Sequence, residues 1–123
     1  MASLIIGSGD KSGEYFPLGQ RTTVIGRDEG VPLQILDERV SRKHAQVRFD
    51  DKTQAYVLMD MKSVNGTFVN GRRLTTELVL SDGDEITLGD TRLMFTLADF
   101  SDKAGALAHF KKVGERKRST LMR

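Results

Sequence analysis

The sequence predicts an all-β fold of the sandwich or barrel class. Short apolar or alternating segments recur about every ten residues, the rhythm of such folds. Gly, Asp, Asn and Ser separate them. Within them, Gln46-Val47-Arg48-Phe49 and Glu85-Ile86-Thr87-Leu88 alternate cleanly, so that one face meets a core and the other meets water. With 123 residues, 38% of them hydrophobic, the chain can build one ordinary core but not two comfortable ones.

Taken in order, the pattern predicts strands near Ser3 to Gly7, Glu14 to Leu18, Thr22 to Gly26, Leu33 to Ile35 and His44 to Asp50. It then predicts Ala55 to Asp60, Thr67 to Val69, Glu77 to Leu80, Glu85 to Leu88 and Thr91 to Leu97. The densest turn signal is Ser63-Val64-Asn65-Gly66-Thr67-Phe68-Val69-Asn70-Gly71, with two Asn-Gly pairs around a short strand. Asn-Gly tolerates the positive φ that a type I′ hairpin turn demands. After Leu97 the period changes. Ser101 can cap a helix whose Ala104, Leu107, Ala108, Phe110 and Val113 recur at three- or four-residue steps, and Gly114 is a natural stop. The expectation is a short helix from about Asp102 to Val113, docked by Leu107 and Phe110, followed by a disordered basic tail. Residues 1–98 would form the domain, and 99–123 the amphipathic helix and flexible tail.

Charge divides along the same boundary. Residues 1–98 carry 12 Lys or Arg against 14 Asp or Glu, whereas 99–123 carry 7 against 3. The basic balance therefore belongs to the tail and says nothing about a nucleic-acid surface on the folded part. The absence of cysteine excludes disulfides, thiolate metal sites and a cysteine nucleophile, and suits a reducing cytoplasm. The start, Met1-Ala2-Ser3-Leu4-Ile5-Ile6-Gly7, has no basic segment before its short apolar run, which is neither a signal peptide nor a membrane span.

Three polar segments lie at strand–loop junctions: Gly26-Arg27, Arg39-Val40-Ser41-Arg42-Lys43-His44, and Ser63-Val64-Asn65-Gly66-Thr67. Loops at one end of a sandwich converge, so these could present Arg, Ser and Asn side chains to a common point. That composition suits a phosphate. Arg27 and Arg42 offer guanidinium donors, Ser41 a hydroxyl, and the glycine loop its backbone N–H groups.

In order and spacing, these motifs resemble those of the forkhead-associated (FHA) domain, and Leu80-Ser81-Asp82-Gly83-Asp84-Glu85-Ile86-Thr87-Leu88-Gly89 resembles its late strand pair. The resemblance spans about residues 2–98. It implies an eleven-stranded β-sandwich that binds phosphothreonine peptides through loops at one apex. It further implies that Arg27 contacts the phosphate or the peptide backbone, that Ser41 and Arg42 contact phosphate, that Ser63 and Val64 belong to the phosphopeptide-binding loop, and that Asn65 holds the peptide main chain. Gly26 and Gly66 would shape the backbone, and His44 would brace the loops from beneath. Many members carry Ser or Thr where this chain has Val64, whose side chain cannot donate although its backbone N–H can. Arg39 would favour Asp or Glu at the third residue after the phosphothreonine.

The implied function is a phosphothreonine-peptide-binding module that recruits a phosphorylated partner in Ser/Thr-kinase signalling, without cofactor, metal, membrane or nucleic acid. The alternative is a phosphate-independent scaffold for protein–protein or self-association. A third reading makes the basic tail the working part, against which its modest charge and lack of interleaved aromatics argue. Within that tail, Arg116-Lys117-Arg118-Ser119-Thr120 resembles a basophilic-kinase substrate, although a solvated basic end explains it as well. An enzyme is not expected. Only His44 and His109 are available as imidazole bases, with neither a Walker A nor an HExxH motif.

Overall fold

A computed structural model describes residues 2–98 and the backbone of 102–121, with side chains as far as Gly114. Eleven strands precede one helix. They are β1 (Ser3–Ile6), β2 (Tyr15–Pro17), β3 (Thr23–Gly26), β4 (Leu33–Gln34), β5 (Ala45–Asp50), β6 (Ala55–Asp60), β7 (Thr67–Val69), β8 (Arg72–Arg73), β9 (Leu78–Val79), β10 (Glu85–Leu88) and β11 (Thr91–Thr96), followed by α1 (Lys103–Leu121). A six-stranded sheet runs β2-β1-β11-β10-β7-β8, and a five-stranded sheet runs β4-β3-β5-β6-β9.

The core forms where the two sheets face each other. Leu4, Ile6, Ile86, Leu88, Leu93 and Phe95 from one sheet meet Ile25, Leu33, Ala45, Val47 and Leu58 from the other. Strand periodicity sends Ile5 and Met94 to the opposite face, where register pairs them directly. Ala106 and Phe110 of α1 bury that second face. This is why β1 is buried at all four positions instead of alternating.

Two glycines let the helix sit close. A Cβ on Gly7 would lie 2.2 Å from Phe110 Cζ, and one on Gly13 2.8 Å from the Lys103 carbonyl. Burying one such aromatic contributes about 1.5–3 kcal/mol. Asp102 caps α1, its Oδ1 accepting the Gly105 N–H at 2.8 Å.

The structure corrects three expectations. The pattern missed β8, a two-residue, wholly polar strand with no alternation to detect. Ala106, not Leu107, joins Phe110 on the docked face, and Asp102 is the cap; Ser101 lies outside the described residues. The helix passes through Gly114 and continues to Leu121. A helical glycine costs only about 1 kcal/mol relative to alanine, whereas proline would have stopped the chain. Thr120 thus lies on a helix, with its side chain outside the described residues.

The turn signals resolve unequally. Asn70 and Gly71 have φ of 51° and 84°, the conformation of a type I′ turn, and join β7 to β8. Asn70 also ties this hairpin to the next strand, donating to Asp84 Oδ1 at 2.9 Å and accepting the Glu85 N–H at 3.0 Å. Of the pair Asn65-Gly66 only Gly66 takes positive φ, at 85°. That pair belongs to the passage from β6 in one sheet to β7 in the other, so it is no hairpin.

Candidate functional site

The site is built on a close backbone crossing at the end of β3. A Cβ on Gly26 would lie 2.0 Å from the Arg42 carbonyl oxygen, so only glycine lets the 35–44 loop rest on the strand. Two backbone bonds fasten it there: Arg27 N–H donates to Ser41 O at 3.0 Å and Asp28 N–H to Arg42 O at 3.2 Å. Arg27 Nε donates to Val40 O at 3.0 Å. With Nε so engaged, the guanidinium of the exposed Arg27 is anchored, and its two outer nitrogens make no hydrogen bond among the described residues. Arg27 and Arg42 share one open depression of about 360 Å³ with Asp28, Glu29 and Gln34.

His44, wholly buried, joins the 35–44 loop to the 61–66 loop. Its Nδ1 accepts the Ser41 N–H at 3.0 Å, which places the proton on Nε2, and Nε2–H donates to Gly66 O at 2.8 Å. One neutral ring thereby sets the height of both loops. Ser41 Oγ in turn accepts the Val64 N–H at 3.0 Å, leaving its hydroxyl proton to donate outward. Val64 itself is 85% exposed. Asn65 Nδ2 donates to Arg39 O at 2.8 Å, turning Oδ1 to the surface as an acceptor.

The 61–66 loop is held from below by a residue the sequence reading did not single out. Asp60 Oδ1 accepts the hydroxyls of Ser63 at 2.6 Å and Thr67 at 2.7 Å, while Oδ2 accepts the Ser63 N–H at 3.1 Å. Ser63 Oγ also accepts the Gly66 N–H at 3.0 Å. Its hydroxyl is therefore committed inside the loop, away from the place where Ser41 and Arg27 meet. The available signal was the spacing, an Asp at a strand end three residues before a Ser.

Asp37 plays a matching part under the other loop. Its carboxylate accepts the N–H groups of Arg39 and Asp90 at 2.9 and 2.8 Å, and the Thr91 hydroxyl at 2.8 Å. The Arg39 side chain reaches Asp90 Oδ1 at 3.3 Å, and both partners are largely exposed. Such a pair is worth about 0–1 kcal/mol and yields readily to a better anion.

Burial alone would raise the Asp60 carboxyl, but the Ser63 and Thr67 hydroxyls and the Ser63 N–H hold it below the ordinary carboxylate range. Asp37 is lowered likewise, its burial outweighed by bonds from Arg39, Thr91 and Asp90. A depressed carboxylate contributes stability above its unfolded value, about 4, and that contribution is lost as pH falls through the lower folded value. The melting-temperature gap between the native chain and Asp60→Asn is expected to stay constant above about pH 5 and to shrink below about pH 4. A gap that does not change with acid would remove Asp60 from this role.

The structure thus brings Arg27, Ser41, Arg42 and Asn65 to one apex, with Gly26, His44 and Gly66 beneath them; the Val64 N–H, expected to serve the phosphate, is instead spent on Ser41 Oγ. A family model for the FHA domain matches residues 23–89. The chain belongs to the FHA family. Glycogen accumulation regulator GarA of Mycolicibacterium smegmatis is 36% identical to this FHA protein over 107 residues, covering 87% of this chain and 66% of the regulator's length. A solved FHA domain studied for phosphothreonine-dependent interactions aligns with a TM-score of 0.71 at 30% identity, covering 80% of this chain and 98% of that one. EmbR of Mycobacterium tuberculosis, solved with a low-affinity phosphopeptide, aligns with a TM-score of 0.71 at 31% identity, covering 81% and 25% of the two chains. No helix among the described residues is long and apolar enough to cross a membrane, and no cluster of three metal-ligating side chains occurs among them.

Proposed function

We propose that this FHA protein is a non-catalytic cytoplasmic reader of phosphothreonine, recruiting a partner that an upstream Ser/Thr kinase has marked. Residues 1–98 are the reading unit, to which α1 is appended, and nucleic acid and membrane have no part. The observation that carries the reading is Ser41. Its hydroxyl oxygen is fixed by the Val64 N–H and its backbone by His44, while Arg27 is anchored next to it with outward donors. Pre-positioned donors of this kind suit a dianion, and hydrogen bonds to a charged group contribute about 1.5–3 kcal/mol each. Asn65 Oδ1 accepts a main-chain N–H of an extended peptide, Ser63 shapes the loop through Asp60, and Arg39 exchanges Asp90 for an acidic ligand side chain. The regulator named above supports a role in regulation by partner binding, and the EmbR complex supports a phosphopeptide as ligand.

Calorimetry against a degenerate phosphothreonine peptide set, with phosphoserine and unmodified controls, tests this. Micromolar affinity, about −8 kcal/mol, is expected for phosphothreonine. Phosphoserine should bind about fourfold more weakly, since one buried methyl is worth about 0.8 kcal/mol. Arg27→Ala should weaken binding about tenfold to a hundredfold while leaving the fold intact. Equal heats for phosphorylated and unmodified peptides would replace this reading with a phosphate-independent scaffold.

A further inference from the structure

The strand that sequence patterning missed carries a cation that nothing above employs. Arg73 lies on β8, the last strand of the six-stranded sheet, opposite Phe68 of β7. Its guanidinium covers Gly66. A Cβ added there would lie 3.0 Å from Arg73 Cζ and 3.2 Å from both Nε and Nη2. Gly66 immediately follows Asn65, so this cation stands against the loop that holds the ligand main chain.

Among the described residues Arg73 shares with Arg21, Arg42 and Arg72 the lack of a counter-ion, whereas three other surface arginines have one. Arg39 has Asp90 at 3.3 Å, Arg48 has Glu77 at 2.7 Å and Arg92 has Glu85 at 3.8 Å. Among the described residues, Arg73 makes neither an ion pair nor a side-chain hydrogen bond. The carboxylate beneath the loop, Asp60, is already occupied by Ser63 and Thr67, and Glu77 and Asp84, which line the same depression as Arg73, make no ion pair with that arginine. Contact with a rigid, buried glycine restrains the guanidinium, so less freedom is lost when an anion docks, and its planar fork matches a carboxylate in two bonds.

Two arginines therefore stand by Asn65 in unlike settings. Its amide is tied to Arg39, whose side chain has an internal counter-ion, while the residue after it, Gly66, lies under an unpaired Arg73. We infer that Arg73 is a second selectivity contact, reading an Asp or Glu side chain of the bound phosphopeptide at a position other than the one Arg39 reads. This rests on the phosphopeptide reading given above.

The test walks a single Glu through the four positions on either side of phosphothreonine in an otherwise neutral peptide. Affinities are measured for the native chain, Arg39→Ala, Arg73→Ala, Arg73→Gln and Arg73→Glu, with melting temperatures as a check on folding. The native chain should show two acidic preferences, of which Arg39→Ala removes one and Arg73→Ala or Arg73→Gln the other. The second should be worth about threefold to fivefold at low salt and should fade as salt is raised. Arg73→Glu should turn that preference toward Lys. Arg73→Ala and Arg73→Gln should bind the neutral phosphopeptide nearly as the native chain does, whereas Arg73→Glu should weaken it by repelling the phosphate. An unchanged Glu profile in Arg73→Ala and Arg73→Gln, with phosphate-dependent binding intact, overturns the inference alone. No preference of the native chain for phosphorylated over unmodified peptide overturns the phosphopeptide reading and this inference with it.

Discussion

Replacing His44 by alanine is expected to cost both stability and phosphopeptide binding, although the ring touches no ligand. It is wholly buried, and each nitrogen has one partner: the Ser41 N–H on Nδ1 and the Gly66 carbonyl on Nε2. Alanine leaves both backbone groups without partners beneath the loops. Each such group costs about 1–3 kcal/mol when buried and unsatisfied. The vacated ring volume adds a cavity term, so a total of about 3–5 kcal/mol is expected. For a domain of this size that lowers the melting temperature by about 10–25 °C. Binding falls for a different reason: the ring is the buried link between the loop carrying Ser41 and the loop carrying Val64 and Asn65. The two are otherwise joined by the exposed bonds from Val64 N–H to Ser41 Oγ and from Asn65 Nδ2 to Arg39 O. Once the ring is gone, only those two solvent-exposed bonds relate the Ser41 hydroxyl to the Asn65 carboxamide, and affinity should drop at least thirtyfold at a temperature where the variant is still folded. Thermal melting followed by calorimetry well below the melting point separates the two effects. Retention of native affinity by the folded variant would show that the loops need no bracing.

The legible parts of this molecule are those that depend on neighbours in the chain. Alternation marked Gln46 to Phe49 and Glu85 to Leu88 as half-buried strands, and both lie within β5 and β10. Spacing of Gly26-Arg27, Ser41 to His44 and Ser63 to Thr67 was enough to bring three loops to one apex. Contacts across the chain were not legible. Asp37 acquires its role from Asp90 and Thr91, more than fifty positions away, and Asp60 from hydroxyls that any surface loop could carry. Ser63 stands inside the binding motif, yet its hydroxyl turns to Asp60. Arg73 had no visible meaning until β8 folded back onto Gly66, because a two-residue polar strand has no period. On α1, likewise, Leu107 is the more apolar residue, but Ala106 stands four positions before Phe110 and shares its buried face.

Gly26→Ala is expected to separate space from conformation as reasons for a glycine. Gly71 is a glycine of the second kind: its φ is 84°, and a Cβ there meets nothing within 4 Å. Alanine at Gly71 should therefore cost about 1 kcal/mol of turn strain and leave binding alone. Gly26 has an ordinary strand conformation, but its Cβ would stand 2.0 Å from the Arg42 carbonyl oxygen and 2.7 Å from the carbonyl carbon. These are backbone atoms, so no flexible side chain can move aside. The 41–43 segment must lift from β3, and the bonds from Arg27 N–H to Ser41 O and from Asp28 N–H to Arg42 O lengthen or break. Overpacking of this kind costs about 1–3 kcal/mol of stability. The larger effect falls on the ligand. The lifted segment carries Ser41 and Arg42 away from Arg27, whose own Nε bond to Val40 O strains with it. Loss of good geometry at two charge-assisted contacts, each worth about 1.5–3 kcal/mol, should weaken phosphothreonine binding by at least a hundredfold. Amide chemical shifts should move along residues 26–28 and 40–44 while those of β1, β10 and β11 stay in place. Native affinity in Gly26→Ala, or shifts spread evenly through both sheets, would show that the close crossing at Arg42 does not position the phosphate contacts.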